Sequence, residues 1–293
     1  MLAALRRDGV RVTTVVLRDR RDAAARLSEL RAPLVLVDTI AASLAASHLS
    51  RIRARGSEIV AVAHMRNGAM ALARRADRVI AVSRALADEL VAGGIERRQI
   101  VVIPPGRDGV AARPRAKRDG RILCVANWAP AKGIHTLVAA AARLPDVTLD
   151  LVGDAPDAAY AARVRRAIAA RGLASRVRVY GSLGASALAR RYAAASIFAL
   201  PSTREGYPLV FVEALAHGLP LVGCDIPAVR EVTDGAAILV APGRVAPLAA
   251  ALKTLVTNDR LRRALARRSL IRARQLPTWA DSEAQFVRAI RNG

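Results

Sequence analysis

Short runs of apolar, often β-branched residues alternate along the chain with longer segments rich in Ala, Leu and Arg. Each run has the length of a strand, and the segments between most of them have the length and periodicity of helices. Apolar strands separated by helices form parallel sheets that are covered on both faces. The pattern therefore predicts an α/β protein. Strands are predicted at 10–17, 33–38, 58–63, 78–82, 99–103, 121–125, 147–152, 176–180, 196–200, 219–223 and 237–240, and helices at 2–7, 41–55, 84–92, 158–171 and 186–195, among others.

The alternation stops once, at 104–120, where three prolines and three glycines are mixed with charged residues. That composition is typical of a linker. It divides the chain into two segments that are each long enough for a domain. Ligands of parallel sheets bind outside the carboxyl ends of the strands, so we expect the site in a cleft between two such domains.

The beginning of the chain departs from the usual order of such domains. A helix at 2–7 and the dipeptide Asp8-Gly9 precede the strand predicted at 10–17. A doubly wound domain usually opens with a strand and a phosphate-binding or substrate-binding turn. We therefore expect that first strand and turn to be missing, through a misplaced start codon or a naturally short protein.

Composition excludes several other classes of protein. Hydrophobic residues make up 53% of the 293 positions, which is too many for a disordered chain. The sequence shows neither a long uncharged apolar stretch nor a signal peptide, so a cytoplasmic protein is expected. Cys124 and Cys224 are too few for a disulfide scaffold or a metal cluster and are predicted to be small core residues.

The formal net charge of +23 raises the question of an acidic partner. Residues 1–120 carry +11 and residues 121–293 carry +12, so the charge is not gathered in one tail. Lysine occurs only at Lys117, Lys132 and Lys253, and the rest of the 47 basic residues are arginine. We attribute the charge to arginine-rich codon usage and predict no nucleic-acid partner. The seven arginines within 260–274 form a predicted basic helix that could contact an anionic membrane, although a solvated helix face is the preferred explanation.

The stretch 201–220, PSTREGYPLVFVEALAHGLP, carries the clearest chemistry. A strand ends in a polar turn, and a helix is predicted to begin with Pro208 in its first position. A helix N-terminus binds anions through free N–H groups and its dipole. Glu205 before the helix and Glu213 within it can each accept hydroxyls of a ribose or a sugar ring. This arrangement suits a nucleotide sugar, with its anion held by the amides of Gly206, Tyr207, Leu209 and Val210.

Glu205 and Glu213 resemble the E-x7-E motif of the retaining GT-B glycosyltransferases of family 4, the glycosyl transferases group 1. Further family patterns occur in the same order over about residues 75–290. They lie at 77–83 (DRVIAVS), 100–106 (IVVIPPG), 125–133 (VANWAPAKG), 149–153, 178–183 followed by Tyr192, 220–231, and at Trp279 before a final helix.

The resemblance implies a GT-B fold of two Rossmann-like domains facing each other across a cleft. It implies an acceptor-side domain at 1–105, a linker at 106–120, a nucleotide-sugar domain at 121–276 and a returning C-terminal helix at 277–293.

It also implies roles for single residues. Glu213 would accept the ribose hydroxyls of the donor, Glu205 would contact the transferred sugar, and Lys132 would pair with the diphosphate. His64 would lie near the donor sugar, and the remaining donor-binding residues would be Asn127, Gly181, Gly206, Tyr207, Pro208, Leu209 and Val210.

The family further implies a transferase that retains anomeric configuration and needs neither a cofactor nor a divalent metal; the sequence has no DxD-like metal motif. The donor would be a UDP-, GDP- or ADP-sugar. The acceptor, a glycan, a lipid-linked molecule or a small molecule, stays open.

Two departures favour an alternative, namely a catalytically impaired relative that binds nucleotide or partners. Asn127 replaces the arginine that the family places in the pattern at 125–133, and the opening strand and glycine loop are missing. A nucleic-acid-binding protein and a sugar-nucleotide epimerase are weaker alternatives.

Single residues also have purely structural explanations. Glu205 and Glu213 could be surface acids at a helix start, and Lys132 could be a solvated helix residue. His64 could be structural, Ser83 could cap the helix that follows it, and His48, His135 and His217 are predicted to be surface, packing or helix-end residues.

Overall fold

The computed structural model describes residues 1–114 and 119–291. These residues form two compact units: an N-terminal unit of Met1–Gly106 with the segment from Pro277 onward, and a C-terminal unit of Arg107–Leu276. Residues 115–118 of the predicted linker lie outside the described residues, as do 292 and 293 at the end of the predicted C-terminal segment. Among the described residues, no helix combines the length and hydropathy that crossing a membrane requires.

The N-terminal unit contains a sheet of parallel strands in the order β1-β2-β3-β4. The order along the sheet follows the chain, and β1 pairs with β2 so that Asp38 lies opposite Val62. The strands run without charged residues through their centres, as burial on both faces requires. They are β1 (Leu34–Asp38), β2 (Glu58–Ala63), β3 (Arg78–Ala81) and β4 (Ile100–Val102).

Two helices of the N-terminal unit, Arg20–Ser28 and Arg84–Ala92, begin at a residue whose side chain caps them. Ser83 accepts a hydrogen bond from the Leu86 N–H at 3.0 Å, so the predicted cap is confirmed. The predicted helix 41–55 is broken instead into two α-helical and two 3-10 pieces. The helices are α1 (Leu2–Arg7), α2 (Arg20–Ser28), α3 (Ala42–Ala45), α4 (Leu49–Arg53), α5 (Arg66–Ala73) and α6 (Arg84–Ala92), with 3-10 turns at Thr39–Ala41, Ala46–His48 and Arg97–Gln99.

The strand predicted at 10–17 is wrong, because residues 10–18 form neither helix nor strand. Val10 and Val12 pack against the apolar cluster of this unit, while Val16 is 66% exposed. The β-branched residues of this segment therefore do not form a strand, although two of its valines contribute to the core of the unit.

The C-terminal unit contains a second parallel sheet, in the order β10-β9-β8-β5-β6-β7. The order reverses between β5 and β8, which are adjacent in the sheet but distant in sequence. This is the topological switch point where such sheets open a crevice at their carboxyl ends. The strands are β5 (Arg121–Val125), β6 (Thr148–Val152), β7 (Val177–Val179), β8 (Ile197–Leu200), β9 (Leu221–Cys224) and β10 (Ala237–Val240).

Helices cover both faces of this sheet and bury a large apolar core that includes Trp128, Phe198 and Phe211. The predicted α/β class, with parallel sheets, is thereby confirmed. The helices are α7 (Ile134–Ala141), α8 (Ala158–Ala170), α9 (Ala185–Ala194), α10 (Leu209–Ala216), α11 (Pro227–Thr233), α12 (Val245–Thr257) and α13 (Asp259–Gln275), with a 3-10 turn at Pro130–Lys132.

The chain ends in α14 (Trp279–Arg291), which packs on the N-terminal unit. Phe286 joins a buried cluster with Leu5, Val60 and Ile80. The Ser282 hydroxyl donates to the Pro104 carbonyl at 2.8 Å. These contacts attach a segment from the far end of the chain to the first domain.

Candidate functional site

Two loops at the switch point of the C-terminal sheet are joined to each other. The loop after β8 donates the Thr203 N–H to the Ala131 carbonyl of the loop after β5, at 2.8 Å. Gly133 has a φ of +66°, and a Cβ atom there would lie 2.3 Å from the Pro201 carbonyl oxygen. Only glycine fits at that position.

This contact brings together two of the predicted site residues, Lys132 and Glu205. The Lys132 ammonium donates to Oε1 of Glu205 at 2.8 Å and to Oε2 at 2.9 Å. The Glu205 side chain is 7% exposed and that of Lys132 is 27% exposed. The carboxylate is therefore almost removed from water, and the ammonium, which reaches solvent, compensates its charge.

Glu213 lies on α10 and is hydrogen bonded to α9. The Tyr192 hydroxyl donates to Glu213 Oε2 at 2.6 Å. Burial raises the pKa of the Glu213 carboxyl above its usual value, the hydrogen bond from Tyr192 lowers it, and the nearby charge of Asp108 raises it. The glutamate is thus a half-buried acceptor with one oxygen engaged.

The start of α10 differs slightly from the prediction. Pro208 is the residue before the helix, and the first helical residue is Leu209. The Leu209 N–H donates to the Tyr207 carbonyl at 3.0 Å, so this amide has a partner within the chain. The Tyr207 hydroxyl is buried without a hydrogen-bond partner in the described part of the chain, and burial raises its pKa to about 12.

Asn127 and Gly181 lie on loops at the carboxyl ends of β5 and β7. Asn127 is exposed, and its neighbour Trp128 is buried and donates its backbone N–H to the Asp154 carbonyl at 2.6 Å. Gly181 accepts the Gly153 N–H at 2.8 Å. These bonds connect the loops after β5, β6 and β7 side by side.

In the N-terminal unit, His64 follows β2 and meets a residue that the sequence did not single out. Its Nε2 atom lies 2.9 Å from Oδ2 of Asp38, at the end of β1. The His64 backbone N–H also donates to Thr39 Oγ1 at 3.2 Å. The sequence did carry a signal for Asp38. This residue ends one predicted strand and His64 follows the next, and neighbouring parallel strands have their carboxyl ends at the same edge of the sheet.

The other candidate side chains have structural surroundings. His135 Nδ1 lies 2.9 Å from the Tyr160 hydroxyl, and burial, then Arg163, lowers its pKa. Cys124 and Cys224 are free and buried, which confirms the core prediction, and burial raises the Cys124 pKa to about 12. Across residues 1–114 and 119–291, no three His, Cys, Asp or Glu side chains are grouped closely enough to hold a metal ion.

The basic helix α13 buries most of its apolar side chains, with Ile271 as the exposed exception. Leu265 is buried, and Arg262 is also buried and donates to the Leu255 carbonyl at 2.8 Å. Ile271 is 56% exposed. The exposed arginines of the helix are Arg260, Arg263, Arg267, Arg268 and Arg274.

Two parallel α/β units, with a Lys–Glu pair at the switch point and a second glutamate eight residues further on, define a GT-B type protein. The family model described as "Glycosyl transferases group 1" matches residues 119–258, and "Glycosyltransferase Family 4" matches residues 41–109. Both are glycosyltransferase models, so the resemblance seen in the sequence is confirmed.

Two curated relatives extend this result. The MMP alpha-(1->4)-mannosyltransferase of Mycolicibacterium hassiacum is 33% identical over 225 residues, 74% of this chain and 54% of the relative. The glycogen synthase of Mycobacterium tuberculosis is 30% identical over 243 residues, 76% of this chain and 56% of the relative. The chain thus spans about half the length of these curated relatives.

Solved structures show the same fold. Anabaena Alr3699/HepE in complex with UDP and glucose has a TM-score of 0.79 at 22% identity, covering 92% of this chain and 81% of that chain. The sucrose-phosphate synthase of Thermosynechococcus elongatus has a TM-score of 0.78 at 23% identity. The match covers 93% of this chain and 76% of that chain. The GT-B fold expected from the sequence is therefore confirmed.

Proposed function

We propose that this chain is a retaining glycosyltransferase that binds a nucleoside-diphosphate sugar through its C-terminal unit. The observation that carries the proposal is the Lys132–Glu205 pair at the switch point, with both carboxylate oxygens within 2.9 Å of the ammonium. A diphosphate offers the ammonium more negative charge than Glu205 does. When the donor binds, Lys132 exchanges part of this contact for the diphosphate, and Glu205 becomes able to accept sugar hydroxyls.

The other donor contacts follow from the same sheet edge. Glu213 accepts the ribose hydroxyls through the oxygen that Tyr192 does not occupy. The amides after Gly206 lie at the start of α10, where the helix dipole favours an anion. Gly181 lies on the loop to which the family resemblance assigns the nucleotide base. UDP is the first nucleotide to test, since the Anabaena structure of the same fold is a complex with UDP and glucose.

In the proposed reaction the bond between the anomeric carbon and the donor phosphate breaks, and a bond from that carbon to the acceptor oxygen forms on the same face. The acceptor proton passes to the departing diphosphate, and we propose, as the family resemblance implies, that no divalent metal takes part. Lys132 offsets the charge that develops on the leaving group. His64 lies on the N-terminal unit, to which the resemblance assigns the acceptor, a glycan, a lipid-linked molecule or a small molecule.

Calorimetric titration with UDP, GDP and ADP, each alone and as common sugar conjugates, tests the donor site. Binding of one nucleotide family, lost in Glu213→Ala and kept in Glu29→Ala, is the expected result. Glu29 is an exposed residue of the N-terminal unit and serves as the matched control. A folded chain that binds none of these nucleotides would contradict the proposal.

A second candidate function is a relative that binds nucleotide but transfers sugar poorly. The observation that favours it is the exposed, uncharged Asn127 in place of the family's arginine. Loss of one charged hydrogen bond costs about 1.5–3 kcal/mol, or roughly tenfold to a hundredfold in rate if it acts in the transition state. Nucleotide binding with no sugar release from any bound donor would favour this candidate.

A further inference from the structure

A buried tyrosine holds the glutamate to which we assign ribose binding. Tyr192 on α9 is 1% exposed, and its hydroxyl lies 2.6 Å from Glu213 Oε2. This distance is at the short end for a hydroxyl donating to a carboxylate and indicates a charge-assisted bond. One carboxylate oxygen of Glu213 is therefore occupied from the core side of α10.

The Tyr192 ring is itself held by two other rings. It stacks on His217 with centroids 4.9 Å apart and planes 9° apart. It also stacks on Phe198 at 6.1 Å and 29°. Aromatic neighbours at these separations restrict the ring, so the hydroxyl is presented to Glu213 from a fixed position.

The hydroxyl of Tyr192 acts as the donor of this pair, and the carboxyl of Glu213 acts as the acceptor. Burial, then the charge of Glu213, raises the Tyr192 pKa well above its usual value, so the phenol keeps its proton in neutral solution. Burial raises the Glu213 pKa, and the smaller effect of the hydrogen bond from Tyr192 lowers it. A carboxylate accepts ribose hydroxyls best when it is ionised.

We propose that Tyr192 is a positioning residue that orients Glu213 by occupying Oε2, leaving Oε1 for the ribose. This inference rests on the proposed function of Glu213 as the ribose acceptor. Tyr192 is 1% exposed, so its effect on the ribose is exerted through Glu213. The titratable groups around the carboxylate are Tyr192 from α9 and Asp108 from the segment before β5, with His217 on the ring of Tyr192.

The first measurement needs no ligand. The Glu213 side-chain carboxyl is followed by carbon NMR during a pH titration, and its signal is identified by its loss in Glu213→Gln. Tyr192→Phe keeps the ring and removes the hydroxyl, so we expect the Glu213 pKa to rise. Tyr160→Phe is the matched control, because it removes the hydroxyl of another buried tyrosine of the same unit, the one beside His135. It should leave the titration unchanged.

The second measurement is calorimetry with whichever of UDP, GDP and ADP the wild-type chain binds most tightly. Tyr192→Phe should weaken binding at neutral pH by about threefold to tenfold, the effect of one hydrogen bond. Binding requires ionised Glu213, so it is lost as pH falls through the folded pKa of this group. Because that pKa is higher in Tyr192→Phe, the loss should begin at a higher pH in the variant.

The outcomes separate this inference from the proposed function. If Glu213→Gln abolishes nucleotide binding while Tyr192→Phe changes neither binding nor the titration, the positioning role is overturned and the donor site stands. If no nucleotide binds, the donor site fails, and the carboxyl titration still decides whether Tyr192 controls Glu213. An unchanged titration in Tyr192→Phe overturns the inference in either case, provided that the thermal midpoint shows the variant to be folded.

Discussion

Asp38 and His64 end two neighbouring strands and form a carboxylate–imidazole pair, with 2.9 Å between Oδ2 and Nε2. An ionised carboxylate only accepts hydrogen bonds, so Nε2 must carry the proton. Oδ1 of the same carboxylate accepts the Ile40 N–H at 2.8 Å, which fixes its orientation. In this tautomer Nδ1 of His64 carries the lone pair, and we propose that it accepts a hydroxyl of the sugar or acceptor.

Asp38→Asn should change the tautomer of His64. An asparagine amide can donate to Nε2, so the ring proton is expected to move toward Nδ1. Long-range proton–nitrogen NMR in mildly alkaline solution reports the tautomer directly. His135, which pairs with Tyr160 in the other unit, is the internal reference and should not change. Identical His64 patterns in the wild type and Asp38→Asn would show that the carboxylate does not set the tautomer.

Lys132→Ala should destabilise the C-terminal unit more than Glu205→Gln does. Removing the lysine leaves a carboxylate that is 7% exposed without its cation, whereas removing the charge of Glu205 leaves an ammonium that is 27% exposed and can be hydrated. We expect a cost of about 1–3 kcal/mol for the first change and less for the second. Thermal unfolding measures both. Lys253→Ala, an exposed lysine on α12, should have no effect, and equal losses in the two site variants would contradict this account.

Asn127→Arg should strengthen nucleotide binding. Asn127 is exposed on the loop after β5, so an arginine there has room and adds a charge that pairs with a diphosphate in bidentate geometry. A gain of about tenfold in affinity for the bound nucleotide is expected. Calorimetry with Asn127→Gln as an uncharged control separates the effect of the arginine charge from the effect of a longer side chain. No gain would mean that another cation of this chain already contacts the diphosphate.

The exposed face of α13 should bind anionic vesicles in a salt-dependent manner. Arginines near such a surface contribute about 1 kcal/mol each, so replacing Arg260, Arg267, Arg268 and Arg274 by glutamine should abolish sedimentation with the vesicles. The matched control replaces four exposed arginines on or beside α8 and α9, namely Arg163, Arg166, Arg171 and Arg190.

Two results would count against membrane contact by α13. One is equal binding to neutral and anionic vesicles, since charge attraction requires a difference. The other is binding to DNA that weakens steeply with salt and is lost in the same variant, which would favour the nucleic-acid alternative.

The sequence by itself determined the fold class and most elements. Strands such as Glu58–Ala63 and Arg121–Val125 and the helix Arg84–Ala92 were predicted to the residue, because hydrophobic periodicity and capping act over a few neighbouring positions. It also indicated Glu205, Glu213 and Lys132 through their motif. It failed at 10–17, where a β-branched run predicted a strand but the segment joins no ladder.

The tertiary structure decided which side chains meet. Asp38 and His64 are 26 positions apart in sequence, Lys132 and Glu205 are 73 apart, and Tyr192 and Glu213 are 21 apart. None of these pairs follows from local periodicity. A parallel sheet places the carboxyl ends of distant strands at one edge, and the order of those strands is fixed by the packing of the whole sheet and its helices.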